Sequence, residues 1–370
     1  MAEELLKSPL HSRHAALEAK MAESAGWEMP LAYAGVLEEL AEVRRRAGLW
    51  DVSNMGRLRI RGDGALELLE RVCTADVGRQ EDDTCLPGLL CNDRGGIIDM
   101  CHLVRFEDQW LMVTSPLARE AVLEHLSPLA DALGASVDDQ TFKTTMLDVA
   151  GPAAAGLLDP VLPIKASGIP AGGARSGSFM IARYVVMRAN FTGLWSMQVV
   201  LPNLLSGKAW DFVTIKAGAS AMKPLGLAAR DVLRVEAGVP AFGQELNQTI
   251  DPLTAGLEAM VDSGHEFIGA DAIRQIKARG PARKRVGLVL GTVASAVGQE
   301  LQGLIPRQGT AIFGDGAECG AITSGAYSPA MDKVIAMAYV SPDLATPGTR
   351  LLVGPDKVPA VVTQLPIYTS

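Results

Sequence analysis

The chain has little cysteine, no excess of positive charge and no long hydrophobic run. Five cysteines stand in 370 residues (Cys73, Cys85, Cys91, Cys101 and Cys319), an odd number with no C-x-x-C pair and no Cys/His spacing of a zinc site. A disulfide framework is excluded, no metal site is expected, and reduced thiols in a cytosol fit best. No apolar run approaches the roughly 18 residues that a membrane span needs, and the opening Met-Ala-Glu-Glu-Leu-Leu-Lys lacks the charged-then-apolar order of an export signal. A soluble, cytoplasmic protein with no membrane partner is expected. Lys and Arg total 34 against 42 Asp and Glu, for a net charge of -8. The positive residues are scattered apart from Arg44-Arg45-Arg46, read as the solvated face of a helix, and Arg283-Lys284-Arg285. No broad basic face meets a phosphate backbone, so nucleic acid is not an expected partner.

What the chain does contain is ordinary globular material: 48% apolar and 21% charged residues, and a length beyond one hydrophobic core, so two or three domains are expected. A helical period over residues 12–47 (Leu17, Met21, Leu37, Leu40, Val43) is broken at Gly26-Trp27-Glu28-Met29-Pro30, which predicts two helices flanking a loop. Gly62-Asp63-Gly64 makes a turn, and Ala65 to Val72 follows as a helix with Leu66, Leu68 and Leu69 inward. Gly95-Gly96 between Leu89-Leu90-Cys91 and Ile97-Ile98 predicts an antiparallel hairpin, and Trp110 to Val113 a further strand. Strands and helices interleave again from Thr145 to Ile215. After about residue 283 short strands separated by Gly and Pro predict a β-rich domain.

Several segments, in order, resemble the glycine cleavage T-protein, or aminomethyltransferase, family. They are Ala25 to Pro30, Leu49-Trp50-Asp51-Val52-Ser53-Asn54-Met55-Gly56, Asn92 to Asp99, the long Gly226 to Gly238 segment, Phe267-Ile268-Gly269, Thr323 to Pro329 and Gln364-Leu365-Pro366. The resemblance implies an α+β fold of three domains in a ring, two α+β units plus a C-terminal β-barrel-like domain, around a tetrahydrofolate. The expected division is a discontinuous folate-binding domain (residues 1–50 and 140–280), an inserted α+β domain (51–139) and the barrel-like domain (281–370).

A reduced pterin uses N5 as the nucleophile toward an electrophilic carbon, and its 2-amino and N3-H donors are best met by a carboxylate. In the family that carboxylate is the Glu of a Gly-Tyr-Thr-Gly-Glu-Asp-Gly-x-Glu segment. Here the matching residues run from Asn190 to Gln198, so Gln198 stands for the Glu and Phe191 for the Tyr. Arg230 keeps its full motif and is an implied folate contact, as are Met55, Asn92 and Ser115, the last near an expected Asn.

The family's second of two adjacent Asp residues, thought to assist carbon transfer and departure of ammonia, is Met100 here, while Asp99 matches the first. Along a strand Ile98, Met100 and His102 share a face that Asp99 leaves, with His102 about 7 Å from Met100. His102 and Asp99 are therefore the candidate catalytic groups. Asn54 stands where the family has His; with Met100 and Trp195 it is a candidate substrate contact, the latter two offering a polarisable wall and a cation-π face.

So many changes around one ligand point to a site rebuilt for another substrate. The first expectation is a tetrahydrofolate-dependent methyltransferase acting as a demethylase on a small-molecule methyl donor, because a sulfonium or quaternary ammonium leaves as a neutral group without a proton donor. An aryl ether would need one, which puts weight on His102. The alternative is aminomethyl transfer in glycine cleavage, with a lipoyl carrier protein as partner. A non-catalytic folate-binding accessory protein is a further alternative, although the Lys-Gly-Cys-Tyr-x-Gly-Gln segment of such relatives is replaced by His265-Glu266-Phe267-Ile268-Gly269.

Overall fold

In the computed structural model Ala25 and Gly26 both take positive φ, 51° and 77°, the pair of left-handed residues that a two-residue hairpin turn of this kind requires. The loop expected between two helices is thereby a β-hairpin, Lys20–Ser24 against Trp27–Ala32. Helices His11–Ala16 and Val36–Arg45 lie on either side of it. Met21 thus belongs to a strand and not to a helix. The period around it is two rather than 3.6, with Trp27 and Met29 buried and Glu28 between them.

The structure describes residues 4–107, 109–179, 182–217, 221–292 and 302–369. They divide into two compact units, Met1–Gly88 with Met100–Arg230 and Leu89–Asp99 with Asp231–Ser370. Among the described residues no helix is long and apolar enough to cross a membrane.

The first unit is organised by a six-stranded sheet in the order Ala174–Phe179, Ala182–Met187, Ser196–Pro202, Thr144–Ala150, Gly48–Asp51, Lys223–Pro224. The pairs are antiparallel except the last, where Lys223 lies beside Gly48 in parallel. Strand alternation divides its two faces. Leu147, Val149, Met197, Val199 and Leu201 join one apolar cluster with Leu49 and Trp210. Asp148 and Gln198, paired directly across the ladder, point to the other face.

A five-stranded sheet in the order Cys85–Cys91, Ile97–Phe106, Gln109–Thr114, Gly56–Arg61, Ser136–Asp139 contains the predicted glycine hairpin and the strand after it. The Ala65–Val72 helix forms as expected, burying Leu68, Leu69 and Val72 while Leu66 is half-buried.

In the second unit six antiparallel strands close a barrel: Lys284–Thr292, Lys333–Val340, Ala317–Ser328, Ala311–Gly314, Arg350–Val353 and Val358–Thr363. Alternate residues such as Val286, Leu288, Leu290, Ala336 and Ala338 fill its interior. Ile335 and Met337, on the opposite face of their strand, pack with Val235 and Ala326. The mixed α+β architecture and the C-terminal β-barrel are therefore as expected.

Candidate functional site

The site begins with a glycine. Gly226, just before the Leu227–Glu236 helix, donates its N–H to Glu39 Oε2 at 2.7 Å and accepts from Trp50 Nε1 at 3.0 Å. A Cβ there would lie 2.1 Å from the Leu31 carbonyl oxygen, so no larger residue fits this approach. The helix start is fixed between two elements, and its first turn delivers Arg230 to the sheet face that carries Asp148.

Asp148 is fully buried, and each of its oxygens has a partner. Oδ1 accepts from Gln198 Nε2 at 2.7 Å and Oδ2 from Arg230 Nε at 3.1 Å. Gln198 is equally buried, and its Oε1 accepts the backbone N–H of Ala189 at 3.1 Å. A backbone N–H can only donate, so the amide is fixed with its oxygen toward Ala189 and its nitrogen toward Asp148.

Phe191 stands between two polar groups. The His102 ring lies 4.6 Å from its centroid and the Arg230 guanidinium carbon 5.1 Å. Three buried polar atoms in this part of the unit have no partner: His102 Nδ1, Arg230 Nη2 and Thr192 Oγ1. An unmet buried group costs roughly 1 to 3 kcal/mol, a cost that a ligand meeting these atoms would remove. Burial, aided by the positive charge of Arg230, pulls the His102 imidazole down to about 4. At neutral pH it is an uncharged ring with one donor and one acceptor. A flat heterocycle bearing both donors and acceptors fits this set, and a reduced pterin is such a ring.

The other sequence candidates fall in different places. Met100 is half-buried on the His102 strand. Asp99 is fully buried and belongs to the second unit. Asn92, also of that unit, closes the hairpin turn: its Oδ1 accepts from the N–H groups of Arg94 and Gly96, and its Nδ2 donates to the Gln248 carbonyl at 3.0 Å. Asn54 is buried and donates to Ser24 Oγ at 3.3 Å. Met55 is buried and its carbonyl accepts from Arg57 Nη1. Ser115 caps the approach to the Arg119–Leu133 helix, its carbonyl accepting the Ala118 N–H at 3.2 Å.

Trp195 packs against the apolar cluster on the far side of the sheet from Gln198, with the Arg188 guanidinium 4.7 Å from its ring centroid. One of its faces is thus already met by a cation of its own chain. The structure brings together Gln198, Arg230, Phe191 and His102. It adds two residues that pattern reading passed over, Asp148 and Thr192. The only sign of Asp148 in the sequence is a single acid within the apolar run Met146-Leu147-Asp148-Val149-Ala150.

The likeness to known proteins identifies a transferase of one-carbon groups. Residues 10–264 match the GCVT N-terminal domain and residues 283–369 the glycine cleavage T-protein C-terminal barrel domain, and the chain belongs to the glycine cleavage T-protein family, enzymes that work with tetrahydrofolate. It is similar to the aminomethyltransferase of Rubrobacter xylanophilus (34% identical, covering 98% of this chain and 94% of that protein) and of Streptomyces coelicolor (33%, 99% and 98%). In fold it is similar to the glycine cleavage system aminomethyltransferase T of Bartonella henselae, with a TM-score of 0.88 and 28% identity over 99% of this chain and 98% of that one.

Proposed function

We propose that this enzyme is an aminomethyltransferase of the glycine cleavage type, acting on a carbon delivered by the lipoyl arm of a separate carrier protein. The observation that supports this most is the whole-length likeness, in sequence and in fold, to proteins of that name. It moves ahead of methyl transfer, the first expectation from the sequence.

Tetrahydrofolate supplies N5, the nucleophile that takes up the carbon. Arg230 Nη2, Thr192 Oγ1 and His102 Nδ1 would hold its polar edge, with Phe191 as an apolar wall and Met100 along the His102 strand. Burial of these groups excludes water, so their hydrogen bonds are stronger than in solvent and the carbon is protected from hydrolysis. His102, neutral at pH 7, can accept a proton through one ring nitrogen while the other donates.

A specific feature supports methyl transfer as a second reading. On the strand face shared by Met100 and His102 there is no acid, and the carboxylate of Asp148 is already bonded to Gln198 and Arg230. A departing amine needs a proton, whereas a methylated sulfonium or quaternary ammonium departs neutral and needs only orientation.

The two readings separate in one assay with the purified protein and tetrahydrofolate. Formation of methylene-tetrahydrofolate from an aminomethyl-lipoyl carrier is expected. Formation of 5-methyl-tetrahydrofolate from methylated sulfonium or ammonium compounds, with none from the carrier, reverses the order. Calorimetric titration showing no tetrahydrofolate binding sinks both.

A further inference from the structure

We propose that Asp148 is the positioning residue of the tetrahydrofolate site: by holding Arg230 through Nε it decides that Nη2 is the guanidinium nitrogen offered to the ligand. The inference deepens the tetrahydrofolate reading above and rests on it. It is carried by four observations within one unit.

First, a guanidinium is a rigid planar fork, so fixing the direction of one N–H fixes the directions of all. Arg230 is fixed twice, by Asp148 Oδ2 at 3.1 Å in its plane and by the Phe191 ring 5.1 Å from its central carbon. Second, of the two nitrogens left over, Nη2 is buried and has no partner, which is the state expected of a donor kept for a ligand. Third, Gln198 has both ends of its amide bonded. It serves to anchor the other oxygen of Asp148.

Fourth, Asp148 and Gln198 are direct partners across an antiparallel ladder and point to one face. Side chains so opposed start about 4.5 to 5.5 Å apart at Cβ. A carboxylate placed at either position reaches the same region beside Arg230. This makes the carboxylate transferable between the two strands, a property that mere packing at position 148 would not have.

The test uses the full-length protein, with Asp148→Ala, Asp148→Asn and the double variant Asp148→Ala/Gln198→Glu. Two quantities are measured: the hydrogen-exchange rate of the Arg230 Nε–H by NMR without ligand, and tetrahydrofolate affinity by calorimetry. Asp148→Ala is expected to speed Nε–H exchange by at least tenfold and to weaken tetrahydrofolate binding by at least tenfold. The double variant is expected to recover both to within about threefold. Asp148→Asn, which keeps shape and one acceptor, holds the design together if the alanine variant does not fold; it is expected to weaken binding severalfold with melting within a few degrees of the parent.

Unchanged exchange and affinity in the single variants overturn the proposal, as does a folded double variant that recovers neither. If the parent protein does not bind tetrahydrofolate, the functional reading fails. The positioning role of Asp148 is then still decided by the exchange measurement and its rescue.

Discussion

In each unit an arginine meets a fully buried carboxylate, Arg230 at Asp148 and Arg234 at Glu245, and the two pairs are finished differently. In the second unit Arg234 donates from Nε to Asp231, from Nη1 to Glu245 and Val239, and from Nη2 to Ser324. Glu245 also accepts from Thr323, Ser324 and the N–H of Ala241. Every nitrogen of that guanidinium has an oxygen. In the first unit Arg230 reaches Asp148 through Nε, while Nη2 has no partner and the neighbouring His102 and Thr192 carry unmet atoms as well. A closed polar network fixes a fold; one left open beside an aromatic ring costs stability and reserves donors for a ligand.

The contrast is broken most strongly at Glu245. Glu245→Ala takes the buried carboxylate away from a buried arginine, leaving it the largely exposed Asp231, and is expected to lose roughly 3 to 5 kcal/mol in denaturant unfolding followed by circular dichroism. The matching change Asp148→Ala is expected to cost less, since the Arg230 side chain is 19% exposed and water can take over part of the lost interaction.

Next in size is a dependence on pH that the open site introduces. His102 is neutral in the folded protein down to about 4, against 6.5 for an ordinary imidazole. Between these values the unfolded chain binds a proton that the folded protein does not. Stability is therefore whole above pH 6.5 and falls as pH drops toward 4, by about 1.4 kcal/mol per unit for one proton. His102→Gln should flatten this slope in urea titrations at pH 7 and 4.5; an unchanged slope would show that other groups cause it.

Arg230→Met sharpens the comparison from the ligand side. It is expected to lower tetrahydrofolate affinity by about 10- to 100-fold, or roughly 1.4 to 2.8 kcal/mol, and to lower melting as well, because the fully buried Asp148 carboxylate loses its counter-charge. Loss of stability without loss of affinity would assign Arg230 to the fold.

The smallest pair of changes is the most direct. Thr192→Val removes a hydroxyl with no partner and should leave melting unchanged or slightly raised while weakening tetrahydrofolate binding severalfold. Ser324→Ala removes a hydroxyl bonded to both Arg234 and Glu245 and should destabilise by about 1 kcal/mol or more. Equal effects of the two on melting would erase the distinction between the open and the closed network.

Much of the fold was legible because it rests on local rules. Gly95-Gly96 between apolar runs gave the hairpin, Gly62-Asp63-Gly64 the helix after it, and the short strands past residue 283 the barrel. The first hairpin was not legible in the same way. Leu17 and Met21 fall at helical spacing, and what overrode that period was the left-handed pair Ala25 and Gly26, one of which is an alanine that rarely adopts this conformation. Within the site, Arg230 and Phe191 stood out through their motifs and His102 through strand alternation. Trp195 shows the limit of that reasoning: three residues from Gln198, it packs against the core on the opposite side of the sheet.

The sequence by itself determined the family, the strand that carries Met100 and His102, and the loss of a carboxylate at position 198, since these depend on neighbouring residues and on periods of two or 3.6. Only the tertiary structure decided that a carboxylate lies beside that position all the same. Asp148 is 50 residues from Gln198 along the chain, and no local pattern links them. They meet because the antiparallel register places them opposite one another and a helix start pinned at Gly226 brings Arg230 to the same face.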